Sequence, residues 1–160
     1  MQVAPAIRAH TNRFDEPVRS LLRSKPNLLW SVSPETSVYR AIELMAEKHV
    51  GCLVVLSGGN LAGIISERDY ARKVILMGRN SMQTLVREIM TKPVLFVTPE
   101  QTIDEAMRLM TSRRVRHLPV LEGEIVTGVL SIGDVVNWVV TWEQQTIQHL
   151  EGYIDGNYPA

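Results

Sequence analysis

The stretch Val97–Asp134, VTPEQTIDEAMRLMTSRRVRHLPVLEGEIVTGVLSIGD, decides how the chain folds, because the chain contains it twice. Moved back by 65 positions it falls without a gap on Val32–Asp69, VSPETSVYRAIELMAEKHVGCLVVLSGGNLAGIISERD. Val, Pro, Glu, Ala, Leu, Met, Gly, Ser and Asp recur in register, and pairs such as Val38/Ile103, Ile42/Met107 and Ile64/Val129 are conservative. A repeated unit too small to bury its own apolar face is completed by its copy, so the functional unit is the pair.

Within each copy the pattern reads strand, helix, strand, strand, helix. In the first, Leu28–Val32 predicts a short strand that Ser33-Pro34 turns out of its path, because a residue before proline is barred from helix. Ser37 caps a helix with Val38, Ala41, Ile42 and Met45 on one face. The apolar runs Cys52–Leu56 and Leu61–Ile65, joined by Ser57-Gly-Gly-Asn60, predict a hairpin buried on both faces. Ser66 then caps a helix from Glu67 to about Met77, closed by Gly78. The second copy repeats this order: a strand over Val94–Val97, a helix over Ile103–Arg113 with Thr102 and Glu105 as a capping box, strands Leu118–Leu121 and Ile125–Leu130, and a helix opening at Ser131.

Around this repeat lie residues 1–16, an arm without periodicity that follows no helix or strand pattern. The first repeat takes residues 17–78, beginning with a short helix Pro17–Arg23, and a connector with one short helix, Leu85–Met90, takes residues 79–92. The second repeat takes 93–140, and the C-terminal helix and tail take 141–160. The final helix, from Ile132 to about Tyr153, carries a stripe of Trp138, Trp142, Ile147, Leu150 and Ile154, which either packs on its own domain or forms a dimer contact.

Composition narrows the function. The 160 residues are 45% hydrophobic, enough for one domain-sized core. The 17 Lys and Arg cancel the 17 Asp and Glu, so no overall field favours nucleic acid, membrane or an acidic polymer. No apolar run approaches the roughly 20 residues of a membrane span, the N-terminus lacks the apolar core of a secretory signal, and the single cysteine forms no internal disulfide. The default is a cytoplasmic protein. Cys52 reads as a small core residue, the four histidines show no metal spacing, and no nucleophile motif is present, so neither metal nor catalysis is expected.

The chemistry sits at Ser66 and Ser131, each at the end of a buried strand and the start of a helix. Backbone N–H groups and the positive end of the helix dipole favour phosphate there. Three residues on, Asp69 and Asp134 offer a carboxylate to two vicinal hydroxyls such as those of ribose. Taken singly, Ser-x-x-Asp is a helix cap with a first-turn carboxylate. Its recurrence after Gly-h-h in both copies (h, hydrophobic), as Gly63-Ile-Ile-Ser66-Glu-Arg-Asp69 and Gly128-Val-Leu-Ser131-Ile-Gly-Asp134, favours a ligand site.

With the apolar segments Val50–Leu56 and Val115–Leu121 that precede them, these motifs resemble a tandem pair of cystathionine β-synthase (CBS) domains, or Bateman module, over about residues 17–140. The resemblance is to the stand-alone type. It implies an α/β (α+β) fold in which two β-α-β-β-α repeats pack through their sheets with pseudo-twofold symmetry, leaving two clefts for adenine nucleotides. By the same resemblance the aspartate holds ribose, the serine and a basic residue near position 116 meet phosphate, Ser33 or Thr98 contacts the base, and Val38, Ile103, Val50 and Val115 sandwich its ring. One cleft would take Ser33, Val38, Val50 and Gly51 with Arg116, His117, Ser131 and Asp134. The other would take Ser66 and Asp69 with Thr98, Ile103 and Val115; Arg68 either supplies a cation there or is exposed, while Arg72 and Lys73 read as solvent-facing. Because Arg116-His117 aligns with Gly51-Cys52, the Asp134 cleft is expected to grip phosphate more strongly.

The resulting expectation is a homodimeric regulatory module that binds AMP, or else ATP, ADP, NAD(H) or S-adenosylmethionine, and modulates a partner protein. A dimerisation scaffold with unoccupied clefts is the alternative. An enzyme acting on nucleotides ranks last, because the motif supplies no general base beyond the ribose-binding aspartates.

Overall fold

The computed structural model describes residues 12–26 and 28–154, with the backbone alone at 149, 150 and 152–154. The expected arm through residue 11, the tail beyond Ile154 and the side chains of Leu150 and Ile154 lie outside the described residues. A single 3-10 turn, Arg13–Asp15, leads into α1 (Val18–Arg23). The first copy gives β1 (Ser31–Val32), α2 (Val38–Lys48), β2 (Cys52–Ser57), β3 (Asn60–Ser66) and α3 (Glu67–Tyr70). After α4 (Val86–Ile89) the second gives α5 (Ile103–Arg113), β4 (His117–Glu122), β5 (Ile125–Ser131) and α6 (Ile132–Ile154).

Three pairs of elements, α2/α5, β2/β4 and β3/β5, share their bounds at the displacement of 65 read from the sequence. Local chemistry explains the helix ends. Ser37 Oγ accepts from the Arg40 N–H at 3.2 Å, and Thr102 Oγ1 accepts from the Glu105 N–H at 3.1 Å. Both helices stop at a residue in the left-handed region, His49 (φ 54°) and Arg114 (φ 55°). Even the irregularity recurs, since both hairpins shift register at mated positions, Val55/Leu56 and Val120/Leu121.

The entering strands are shorter than expected. In the first copy only Ser31–Val32 pairs, parallel to β2, with the Val54 N–H donating to Trp30 O at 3.3 Å. In the second, the expected strand Val94–Val97 shrinks to one parallel bridge, Val97 to Val120. Pro119 is the cause. It occupies the place of Val54 and has no N–H to give, so the bond that would lengthen the second strand cannot form. The helix expected over Glu67–Met77 also differs: after α3 the chain widens into a π turn, Ala71–Ile75, in which the Leu76 N–H reaches Ala71 O at 3.1 Å.

The two cores are crossed relative to the chain. The Val18 and Arg19 N–H groups donate to Gln101 O (2.8 Å) and Pro99 O (3.0 Å), so α1 docks on the second copy. The Val86 and Arg87 N–H groups donate to Thr36 O (2.8 Å) and Pro34 O (3.0 Å), so α4 docks on the first. One core accordingly joins Val18 and Leu21 to Ile103, Met110, Leu118 and Leu130. The other joins Val86 and Ile89 to Val38, Met45, Leu53 and Ile65. Gly63 marks how closely α4 approaches: a Cβ there would lie 2.7 Å from Met90 Sδ and 3.2 Å from Met90 Cβ.

The C-terminal stripe divides. Trp138 is buried in the second core, with the Arg13 guanidinium 3.9 Å above its ring, whereas Ile147 is exposed. The outward face of α6 instead carries Ile132, Val136 and Val140 beside Ile147. Among the described residues no helix is long and apolar enough to cross a membrane.

Two consequences of the crossed cores are measurable. Ile89→Ala, outside the first repeat in sequence, removes a side chain that is 1% exposed in that repeat's core and should destabilise the protein by about 2–5 kcal/mol in denaturant titration. Fragments 12–80 and 81–154 should each fail to fold alone and regain helical circular dichroism when mixed.

Candidate functional site

Each hairpin brings the end of its second strand beside the start of its first. Cys52 pairs with Ser66 and His117 with Ser131. The helices therefore begin against the opposite strand: the Glu67 N–H donates to Gly51 O at 3.0 Å, and the Ile132 N–H donates to Arg116 O at 2.9 Å. The helix-cap reading of Ser-x-x-Asp is realised at both places. Ser66 Oγ accepts from the Asp69 N–H at 3.2 Å while Asp69 Oδ2 accepts from the Ser66 N–H at 3.0 Å; the second copy repeats this at 3.1 and 2.8 Å. One carboxylate oxygen is thus spent on the cap, which fixes where the other points.

The two clefts are mates under the pseudo-twofold. A cleft of about 440 Å³ is lined by Ile64, Ser66 and Asp69 of the first copy and Arg114, Val115 and Arg116 of the second. A cleft of about 250 Å³ is lined by Val129, Ser131 and Asp134 of the second and His49, Val50 and Gly51 of the first. Gly51 and His117 border both, lying where the copies meet: a Cβ on Gly51 would stand 3.3 Å from His117 Cε1.

The contents differ. Asp69 Oδ1 receives Thr91 Oγ1 at 3.1 Å and pairs with Lys73 Nζ at 3.0 Å. In the smaller cleft Lys25 Nζ reaches Asp134 Oδ2 and Val129 O, both at 2.7 Å, and Leu28 and Trp30 add apolar walls. The larger cleft collects Arg68, Arg72, Lys73, Arg114 and Arg116 against Glu67 and Asp69. Arg68 donates to Arg114 O at 2.9 Å.

Several expected site residues are placed differently. Of the Asp134 set, Val50, Gly51, His117, Ser131 and Asp134 come together, but Arg116 lines the Asp69 cleft. The symmetry agrees: Arg116 goes with Arg114 and Val115 to this cleft, as their mates His49 and Val50 go to the Asp134 cleft. The expectation that Asp134 sits in the more cationic cleft is reversed. Of the Asp69 set, Ser66, Arg68, Asp69 and Val115 come together. Val38 and Ile103 are wholly buried and line neither cleft, because the first position of each amphipathic helix faces its own core. Ser33 is exposed and 3.2 Å from Thr36 Oγ1, and Thr98 donates its N–H to Gln101 Oε1 at 2.9 Å; neither lines a cleft. Arg72 and Lys73, expected to face solvent, line the Asp69 cleft. Lys25, Trp30, Thr91 and Arg114 were not anticipated. Only Arg114 had a signal, as the mate of the helix-ending His49.

Burial holds His117 below the ordinary imidazole value; Asp134 and Glu67 pull the other way, while Arg116 and Lys25 push it further down. Burial also pushes the Cys52 thiol up to about 12, so it is an inert core group. Among the described residues no three His, Cys, Asp or Glu side chains gather as metal ligands.

Comparison with known proteins follows this geometry. The CBS domain family model matches residues 18–75 and 86–141. The mitochondrial CBS domain-containing protein CBSX3 of Arabidopsis thaliana is 46% identical over 135 residues, 81% of this chain and 65% of its own length. A relative from Thermofilum pendens, 35% identical, is matched over 35% of its length, so the chain spans two thirds or less of these two relatives. Among solved structures, a proposed signal-transduction protein with CBS domains from Burkholderia ambifaria is 49% identical with a TM-score of 0.76, covering 78% of this chain and 94% of that one. The CBS-domain structure NE2398 is 40% identical with a TM-score of 0.75, covering 78% and 98%. The chain belongs to the CBS-domain family and carries two such domains in tandem.

Proposed function

We propose that the pair is a regulatory module that binds an adenine nucleotide in the inter-repeat clefts and thereby modulates a partner protein. The observation that carries this reading is the duplication of one arrangement: a Ser-x-x-Asp helix start facing an apolar wall (Val115 or Val50) supplied by the other copy. Such a cleft offers a carboxylate to vicinal hydroxyls and aliphatic surface to a flat ring, and the Asp69 cleft adds cations for phosphate. Because each cleft takes residues from both copies, a ligand seated there contacts both. Its difference in affinity between two packings of the copies is the most it can contribute to a switch.

A dimerisation scaffold is the second reading. The exposed row Ile132, Val136, Val140 and Ile147 on α6 favours it, as does a hexameric CBS-CP12 protein from bloom-forming cyanobacteria that is 28% identical with a TM-score of 0.67. On that reading Val136→Glu/Val140→Glu lowers the assembly state in light scattering and nucleotide leaves it unchanged.

Calorimetric titration of the purified chain with AMP and ATP separates the two. Binding should appear, and Asp69→Asn should weaken it by about tenfold or more, the worth of one charge-assisted contact. No heat with either nucleotide, and no thermal shift, would leave the scaffold. His117 supplies a separate test on the unliganded protein. Its folded value lies below the unfolded one of 6.5, so the folded state resists the proton. Stability should be complete above about pH 6.5 and decline as pH falls below it, and His117→Gln should flatten that decline in urea titrations from pH 7.5 to 5.

A further inference from the structure

We infer that the Asp69 cleft selects its ligand by phosphate number, taking a nucleoside triphosphate in preference to the monophosphate. This rests on the nucleotide reading for base and ribose and deepens it for the phosphates. In a chain with no net charge, five cations and two carboxylates meet at this one cleft, a formal surplus of three positive charges. Lys73 is the only one of the five that pairs with a carboxylate among the described residues; Arg68 is spent on a backbone carbonyl, and Arg72, Arg114 and Arg116 keep their guanidiniums unpaired by acids. Uncompensated guanidiniums around a concave site favour an anion of matching charge. A monophosphate brings about two charges and a triphosphate about four.

The cavity continues past these arginines. Arg68, Arg114, Val115 and Arg116 also line an adjoining hollow of about 280 Å³ that runs to Ile132 at the start of α6. The arginines thus stand between two connected spaces, where they can contact successive phosphates. The Asp134 cleft differs. It is smaller, and its Lys25 is already neutralised by Asp134, so it offers a phosphate chain no surplus charge.

The test is calorimetry on the full chain in metal-free buffer with adenosine, AMP, ADP, ATP and inorganic tripolyphosphate, for the natural sequence and for Arg114→Asn/Arg116→Gln. Asparagine suits the left-handed backbone at 114. Affinity should rise from AMP to ATP by at least about tenfold, and the double variant should remove that rise while changing AMP less than about threefold. If the variant does not fold, the natural chain still decides: between 50 and 500 mM salt, ATP should lose affinity more steeply than AMP. AMP binding as tightly as ATP, or a variant that weakens every ligand equally, would overturn the inference and leave the nucleotide reading standing. Tripolyphosphate binding as tightly as ATP, with no contribution from the nucleoside, would keep the cationic groove and overturn the nucleotide reading instead.

Discussion

A pair of backbone hydrogen bonds holds each copy to the helix that precedes its twin: Val18 to Gln101 and Arg19 to Pro99 on one side, Val86 to Thr36 and Arg87 to Pro34 on the other. Helices of six and four residues are too short to persist alone in water. They exist because each fills a gap between another copy's helix and sheet. The exchange ties the two halves together, since each core is completed by a helix that precedes the other copy.

The clefts show how a twofold can be kept in backbone and broken in chemistry. The mated positions 51 and 116 have the same place in the fold and different side chains, Gly against Arg. Folding demands only that the main chain and the inward faces match. The residues around the rims are free to diverge, and one rim has become strongly cationic while the other has acquired a lysine already held by its own aspartate.

The elements themselves were legible in the sequence where one rule dominated. The amphipathic helices α2 and α5 announced their caps and faces, and the hairpins announced their turns. What was not legible arose from distance along the chain. The helices α1 and α4 are themselves a repeat, Val18-Arg-Ser-Leu-Leu22 against Val86-Arg-Glu-Ile-Met90, but at a displacement of 68 rather than 65, so a gapless comparison hides it. The short second entering strand was readable in principle from Pro119. Arg116 lies in the Asp69 cleft although the hairpin it leads into carries Ser131 to the other, because neighbours along a strand can face different clefts. Val38 and Ile103 lie in the cores for a different reason: hydrophobic character alone does not separate a wall that meets a ligand from one that meets the core.

The left-handed backbone at Arg114 leads beyond binding. A side-chain-bearing residue in that conformation is disfavoured by about 1 kcal/mol or more, and glycine is the residue that relieves it. A redesign aimed only at thermal robustness would therefore place glycine at 114 and gain stability while erasing one of the cleft's cations. The natural chain keeps the less comfortable residue. At this one position robustness and recognition pull in opposite directions, and a stability-guided library of variants would drift away from the charged rim without any change in fold to reveal it.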